Sequence, residues 1–157
     1  MLNIAVCGAN GKMGKEVVKA VENAEDMTLT AKIDILNGQF ATIKDAKNSV
    51  KIDILVDFTQ PASIYENALY CLNNNIKLVI GTTGLSDNQI REIETLSKDK
   101  KVACLIAPNF STGAVLLMKF AQMAKEKDTT RLREYPTGVL IKRFMPYMLK
   151  YKWTMFM

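Results

Sequence analysis

The chain has 157 residues, 48% hydrophobic and 24% charged, with a formal net charge of +5. That is ordinary globular composition and excludes collagen-like, disulfide-framework and wholly disordered chains. The charge is unevenly placed: residues 1–128 hold 15 basic and 15 acidic side chains, whereas residues 129–157 hold six basic and one acidic. Half of the 12 aromatics and four of the nine methionines share that last stretch, so a neutral domain (1–128) is expected to precede a tail of different character (129–157).

Leu2–Cys7 is a short apolar run closed by a glycine, the pattern of a buried strand. Gly11–Glu22 places Met13, Val17, Val18 and Val21 at helical spacing, and Thr28–Ile33 reads as a β-branched strand ending at Asp34. Residues 35–50 are polar and irregular and predict no element. Asp53–Phe58 is a third strand, and Pro61 suits the first turn of a helix that closes on Asn73-Asn74-Asn75, a left-handed stop. Ile76–Ile80 is a fourth strand, followed by the turn Gly81-Thr82-Thr83-Gly84. Ser86 and Asp87 are N-cap candidates for a helix to about Lys98. Val102–Ala107 is a fifth strand, and Ser111–Lys127 is an amphipathic helix. Alternating strands and helices with continuously apolar strands predict an α/β fold, a Rossmann-type doubly wound parallel sheet.

The sequence has no histidine, the commonest general acid–base and metal ligand. Cys7, Cys71 and Cys104 are too few and too scattered for a zinc site, and they read as buried, reduced thiols. No metal site and no catalytic residue is expected. No run approaches the roughly 20 apolar residues of a membrane span, and the N-terminus lacks a secretory pattern, which predicts a cytoplasmic protein.

The first strand runs into Gly8-Ala9-Asn10-Gly11-Lys12-Met13-Gly14, which opens the first helix. Glycines there let the backbone turn sharply and approach a pyrophosphate, whose charge is met by N–H groups at the helix N-terminus. Asn10 stands where the usual pattern has a glycine, and asparagine tolerates left-handed geometry. Asp34, about 20 residues on, sits where a carboxylate accepts hydrogen bonds from an adenosine ribose. The plain alternatives are a tight turn without a ligand and a solvated strand end. Asp34 favours a free 2′-hydroxyl and hence NADH. Lys12 could attract the 2′-phosphate of NADPH, or stand as a solvated helix-face lysine.

Four segments together carry a resemblance: Val6-Cys7-Gly8-Ala9-Asn10-Gly11-Lys12-Met13-Gly14, Val56-Asp57-Phe58-Thr59-Gln60-Pro61, Val79-Ile80-Gly81-Thr82-Thr83-Gly84 and Ala107-Pro108-Asn109-Phe110-Ser111-Thr112-Gly113. In this order they resemble the dihydrodipicolinate reductase family of lysine biosynthesis. The resemblance implies that Gly8, Ala9, Asn10, Gly11, Lys12 and Met13 hold the pyrophosphate of NAD(P)H and Asp34 its adenosine ribose. It implies that Gly81, Thr82 and Thr83 lie near the nicotinamide, with Pro108, Asn109, Phe110 and Ser111 completing the cofactor cleft. In the family, hydride transfer reduces a cyclic dicarboxylic imine precursor, and a second domain supplies a His-His-x-x-Lys segment and a tetramer interface.

That segment is not found here. Pro136-Thr137-Gly138 is only a faint echo of the family's Pro-Ser-Gly. The composition break at Thr129 predicts a truncated or frame-shifted C-terminus with the substrate domain largely missing, leaving cofactor binding alone. A competing reading takes the tail as functional: Lys142, Arg143, Lys150 and Lys152 interleave with Phe144, Tyr147, Tyr151 and Trp153. That pattern suits a non-catalytic nucleotide-binding module whose tail contacts a partner or membrane surface. Pro146 would interrupt the helix such a surface needs, so neither a membrane nor nucleic acid is expected as a partner. A short-chain dehydrogenase is excluded because no Tyr-x-x-x-Lys occurs; Tyr147 and Lys150 have the wrong spacing.

Overall fold

A computed structural model describes residues 1–107 and 154–156. The elements run β1 (Leu2–Cys7), α1 (Lys12–Glu22), β2 (Met27–Ile33), α2 (Ile43–Ser49), β3 (Ile54–Asp57), α3 (Pro61–Asn73), β4 (Lys77–Ile80), α4 (Asp87–Lys100), β5 (Cys104–Ile106) and β6 (Thr154–Phe156). The sheet order is β2-β1-β3-β4-β5-β6. The first five strands are parallel, as the apolar strands and intervening helices require, and β6 adds antiparallel to β5. The expected helix Ser111–Lys127 and the expected boundary after residue 128 lie outside the described residues.

Alternation along β1 divides the core between two faces. Ala5 and Cys7 join Ala31, Ile33, Leu55, Leu78 and Ile80 under α2, α3 and α4, which contribute Ile43, Ile64, Leu72 and Ile93. Val6 points the other way and packs with Ala9 and Val18 of α1. All of these side chains are less than a tenth exposed, and burial of each large aliphatic contributes about 1.5–3 kcal/mol.

Two local expectations change. Ile43–Ser49, which carry no sequence signal of an element, form the short helix α2. Thr42 caps it by accepting the Asp45 N–H at 3.1 Å, and only Ile43 and Ala46 are buried, too few to show a periodic stripe. Met13 was expected on the apolar side of α1 but is 44% exposed, because the buried face of α1 is set by Gly14, Val18 and Val21. The asparagine stop behaves as expected: Asn75, with φ 58°, carries the left-handed turn after α3.

The chain leaves β1 outward to β2 and then returns to β3 on the other side of β1. That reversal opens a crevice at the carboxyl ends of β1 and β3, where open α/β sheets bind ligands.

Candidate functional site

A cavity of about 410 Å³ occupies this crevice; Gly8, Gly11, Asp34, Ile35, Phe58 and Thr59 are among the residues that line it. Its floor is the turn between β1 and α1. Gly8 has φ +75°, and a side chain there would meet the Phe58 carbonyl oxygen at 2.5 Å. Gly14 faces the same turn from α1: a Cβ on it would lie 2.0 Å from the Gly8 carbonyl oxygen. The first and last glycines thus serve the tight turn and the helix–strand approach. The left-handed position is Gly8; Asn10 is not among the residues with positive φ, contrary to the geometry expected of it.

Asn10 has a different role. Its N–H donates to Asp34 Oδ2 at 2.9 Å, and its side-chain Nδ2 donates to the Leu36 carbonyl at 2.6 Å. The Leu36 N–H donates to Asp34 Oδ1 at 3.0 Å. The glycine turn and the loop after β2 are therefore fastened together, and the Asp34 carboxylate keeps lone pairs on both oxygens for further donors.

The N–H groups of the turn itself are engaged. Gly8 and Ala9 both donate to the Ile33 carbonyl, at 2.9 and 3.2 Å, and Gly11 donates to Gly8 at 3.1 Å. Gly11 is the N-cap of α1 without a side-chain cap, and no acidic residue lies in the first turn. The N–H groups of Lys12, Met13 and Gly14 have no acceptor among the described residues. Free N–H groups at a helix N-terminus, reinforced by the positive end of the helix dipole, suit an anion. By contrast α4 carries its own capping box, Ser86 with Gln89.

Of the residues expected to bind cofactor, Gly8, Gly11 and Asp34 line one cavity, while Ala9 is buried beneath the turn and Lys12 and Met13 stand exposed at the start of α1. Gly81 does not line the cavity; it packs on the Phe58 ring, Thr82 is buried, and Thr83 is exposed. Pro108, Asn109, Phe110 and Ser111 lie outside the described residues. Phe58, Thr59 and Gln60 line the cavity and were absent from the expected set. The signal for them was their place at the carboxyl end of β3, beside β1.

Cys7 also borders the cavity, but it is no nucleophile. Burial first, and then the negative charge of Asp57, push its thiol up to about 12, so it stays protonated. Among the described residues no group of three or more His, Cys, Asp and Glu could hold a metal ion, and no helix is long and apolar enough to cross a membrane.

Comparison with known proteins gives the family. Residues 2–110 match the family described as dihydrodipicolinate reductase, N-terminus. The 4-hydroxy-tetrahydrodipicolinate reductase of Lysinibacillus sphaericus is 39% identical over 140 residues, covering 78% of this chain and 53% of the relative. That of Streptococcus thermophilus is 35% identical over 161 residues, covering 90% of this chain and 62% of the relative. Among solved structures, the dipicolinate-bound dihydrodipicolinate reductase from Paenisporosarcina sp. TG-14 superposes with a TM-score of 0.72 at 37% identity, covering 79% of this chain and 53% of that one. The chain spans about half the length of such relatives.

Proposed function

The chain belongs to the dihydrodipicolinate reductase family, and from that membership and its own cleft we propose that it binds NAD(P)H, with NADH preferred. The observation that carries this reading is one pairing. Gly11, the N-cap from which the uncapped first turn of α1 starts, and the Asp34 carboxylate at the end of β2 line the same crevice, with the glycine turn between them. The α1 donors would receive the pyrophosphate, and Asp34 would accept the hydroxyls of the adenosine ribose. Asp34 also argues for NADH. Its negative charge opposes a 2′-phosphate, and the following Ile35-Leu36-Asn37-Gly38 offers no basic side chain to offset it.

A bound nicotinamide supplies a hydride. The chain's own residues supply the cradle: the α1 donors, the Asp34 carboxylate, and a wall formed by Phe58 and Thr59. Reduction of a cyclic dicarboxylate also needs a placed proton donor and cationic partners for the carboxylates. The sequence has no histidine, and among the described residues the titratable side chains lining the crevice are Asp34 and the protonated Cys7. We assign to this chain the cofactor half of the family reaction, with no competent acid–base group beside it among the described residues.

The test is calorimetric titration with NADH and NADPH, beside NADH oxidation with enzymatically generated family substrate. Binding of NADH in preference to NADPH is expected, with turnover at least about 10³-fold below an intact homologue. Absence of binding to either nucleotide by folded protein would overturn the reading.

A further inference from the structure

Asp57 ends β3 with a carboxylate that is fully buried, and no ion pair to it occurs among the described residues. A buried carboxylate is costly unless donors surround it. Here the donors come from three elements. Thr59 gives its N–H at 2.8 Å and its hydroxyl at 2.6 Å to Oδ1, and Asn67 of α3 gives its amide N–H to Oδ2 at 2.8 Å. The Thr82 hydroxyl, in the turn after β4, lies 3.2 Å from Oδ1. Its single proton can turn instead to the carbonyls of Thr59 at 3.2 Å or Asp57 at 3.4 Å. The Asp57 carbonyl itself accepts the Gly81 N–H at 2.9 Å.

These contacts join the turn after β3, which lines the crevice, to the turn after β4 behind it. Phe58 and Thr59 line the cavity, while Asp57 does not. The Phe58 ring lies so close to Gly81 that a Cβ there would come within 2.2 Å of a ring carbon. Strand order gives this wall a direction. Asp34 ends β2 on one side of β1, and β3 and β4 lie on the other. A dinucleotide with its pyrophosphate over the β1 turn and its adenosine at Asp34 therefore runs its second half over β3 and β4.

We propose that Asp57 is a positioning residue: its buried carboxylate holds the turns after β3 and β4 in register, and so fixes the Phe58–Gly81 wall against the nicotinamide half of the cofactor. The proposal rests on the cofactor reading above. It demands a carboxylate rather than an amide, since asparagine offers one acceptor where four donors converge and turns an N–H₂ group toward the others.

The experiment compares NADH with ADP-ribose, which lacks the nicotinamide ring, on wild-type protein, Asp57→Asn, Thr82→Val and Thr82→Ser. Asp57→Asn and Thr82→Val are expected to weaken NADH by about tenfold or more, the scale of one lost hydrogen bond to a charged group. ADP-ribose should change by clearly less than NADH, because all of it but the terminal ribose lies over the β1 turn and on the β1–β2 side. Thr82→Ser, which keeps the hydroxyl, should restore NADH affinity, and Asp57→Asn/Thr82→Val should lose less than the sum of its parts. Should Asp57→Asn fail to fold, the two Thr82 variants carry the test. Equal losses for both ligands would reduce Asp57 to a purely structural residue, and unchanged NADH affinity would overturn the proposal while leaving the cofactor reading intact. Wild-type protein that binds neither ligand would overturn both.

Discussion

The Asp34 carboxylate, at the end of β2, accepts the backbone N–H of Asn10, in the turn after β1, at 2.9 Å. The two residues are 24 apart in sequence, and parallel pairing of Cys7 with Ile33 brings their neighbours together. With the Leu36 N–H on its other oxygen, this carboxylate is oriented before any ligand arrives. Such preorganisation lowers the ordering cost of binding.

Asp34→Ala removes both an acceptor and a repulsive charge. NADH affinity should fall about tenfold or more, on the scale of a charge-assisted hydrogen bond. NADPH should lose less, because the charge opposing its 2′-phosphate is gone. Titration of both nucleotides checks this, and parallel losses would count against Asp34 as the discriminating residue.

Gly14→Ala sets two effects against each other. Alanine gains about 1 kcal/mol of helix propensity in α1. Its Cβ would, however, lie 2.0 Å from the Gly8 carbonyl oxygen and 2.9 Å from the Ala9 Cα, and backbone cannot yield as a flexible side chain can. Overpacking of this kind costs about 1–3 kcal/mol before the turn is displaced. A melting temperature several degrees lower is expected, with NADH affinity reduced, both read by thermal melting with and without nucleotide. A variant more stable than wild type would show that α1 shifts freely.

The three buried thiols make the fold sensitive to alkali. Burial raises Cys7 and Cys104 from 9.0 to about 12, and Cys71 is raised as well, with burial again the leading cause. The unfolded chain releases these protons from about pH 9 while the folded chain retains them. The unfolded state then binds fewer protons, so stability is full below pH 9 and declines toward pH 12, by at most about 1.4 kcal/mol per pH unit for each thiol. Urea midpoints between pH 8 and 11 should show the decline, and Cys104→Ala should make it shallower. An identical slope in that variant would assign the effect to other groups.

Ser86→Ala removes one half of the α4 capping box, in which Ser86 Oγ accepts the Gln89 N–H at 3.3 Å and Gln89 Oε1 accepts the Ser86 N–H at 2.9 Å. A loss of about 1 kcal/mol in chemical denaturation is expected. Ser86→Asp should recover most of it, because aspartate also caps and complements the helix dipole.

The elements that sequence alone determined are those whose signals are local. The apolar runs of β1, β3 and β4, the Pro61 start of α3, the asparagine stop at Asn75 and the Ser86 cap of α4 each depend on residues within a few positions of one another. The glycine spacing of 8, 11 and 14 and the place of Asp34 after β2 were legible for the same reason, since a tight turn and a strand end are local events. Tertiary structure decided what those residues do. The positive φ belongs to Gly8 and not to Asn10, the N–H groups of the turn are engaged by Ile33, Gly8 and Asp34, and the free N–H groups are those of the first turn of α1. The segment Val56-Asp57-Phe58-Thr59-Gln60-Pro61 was marked by the sequence, but the contacts of the Phe58 wall and the Asp57 cluster were not. Their partners lie up to 25 residues apart and meet only because β3 and β4 are parallel neighbours whose carboxyl ends fall side by side, where a buried charge has to find its donors.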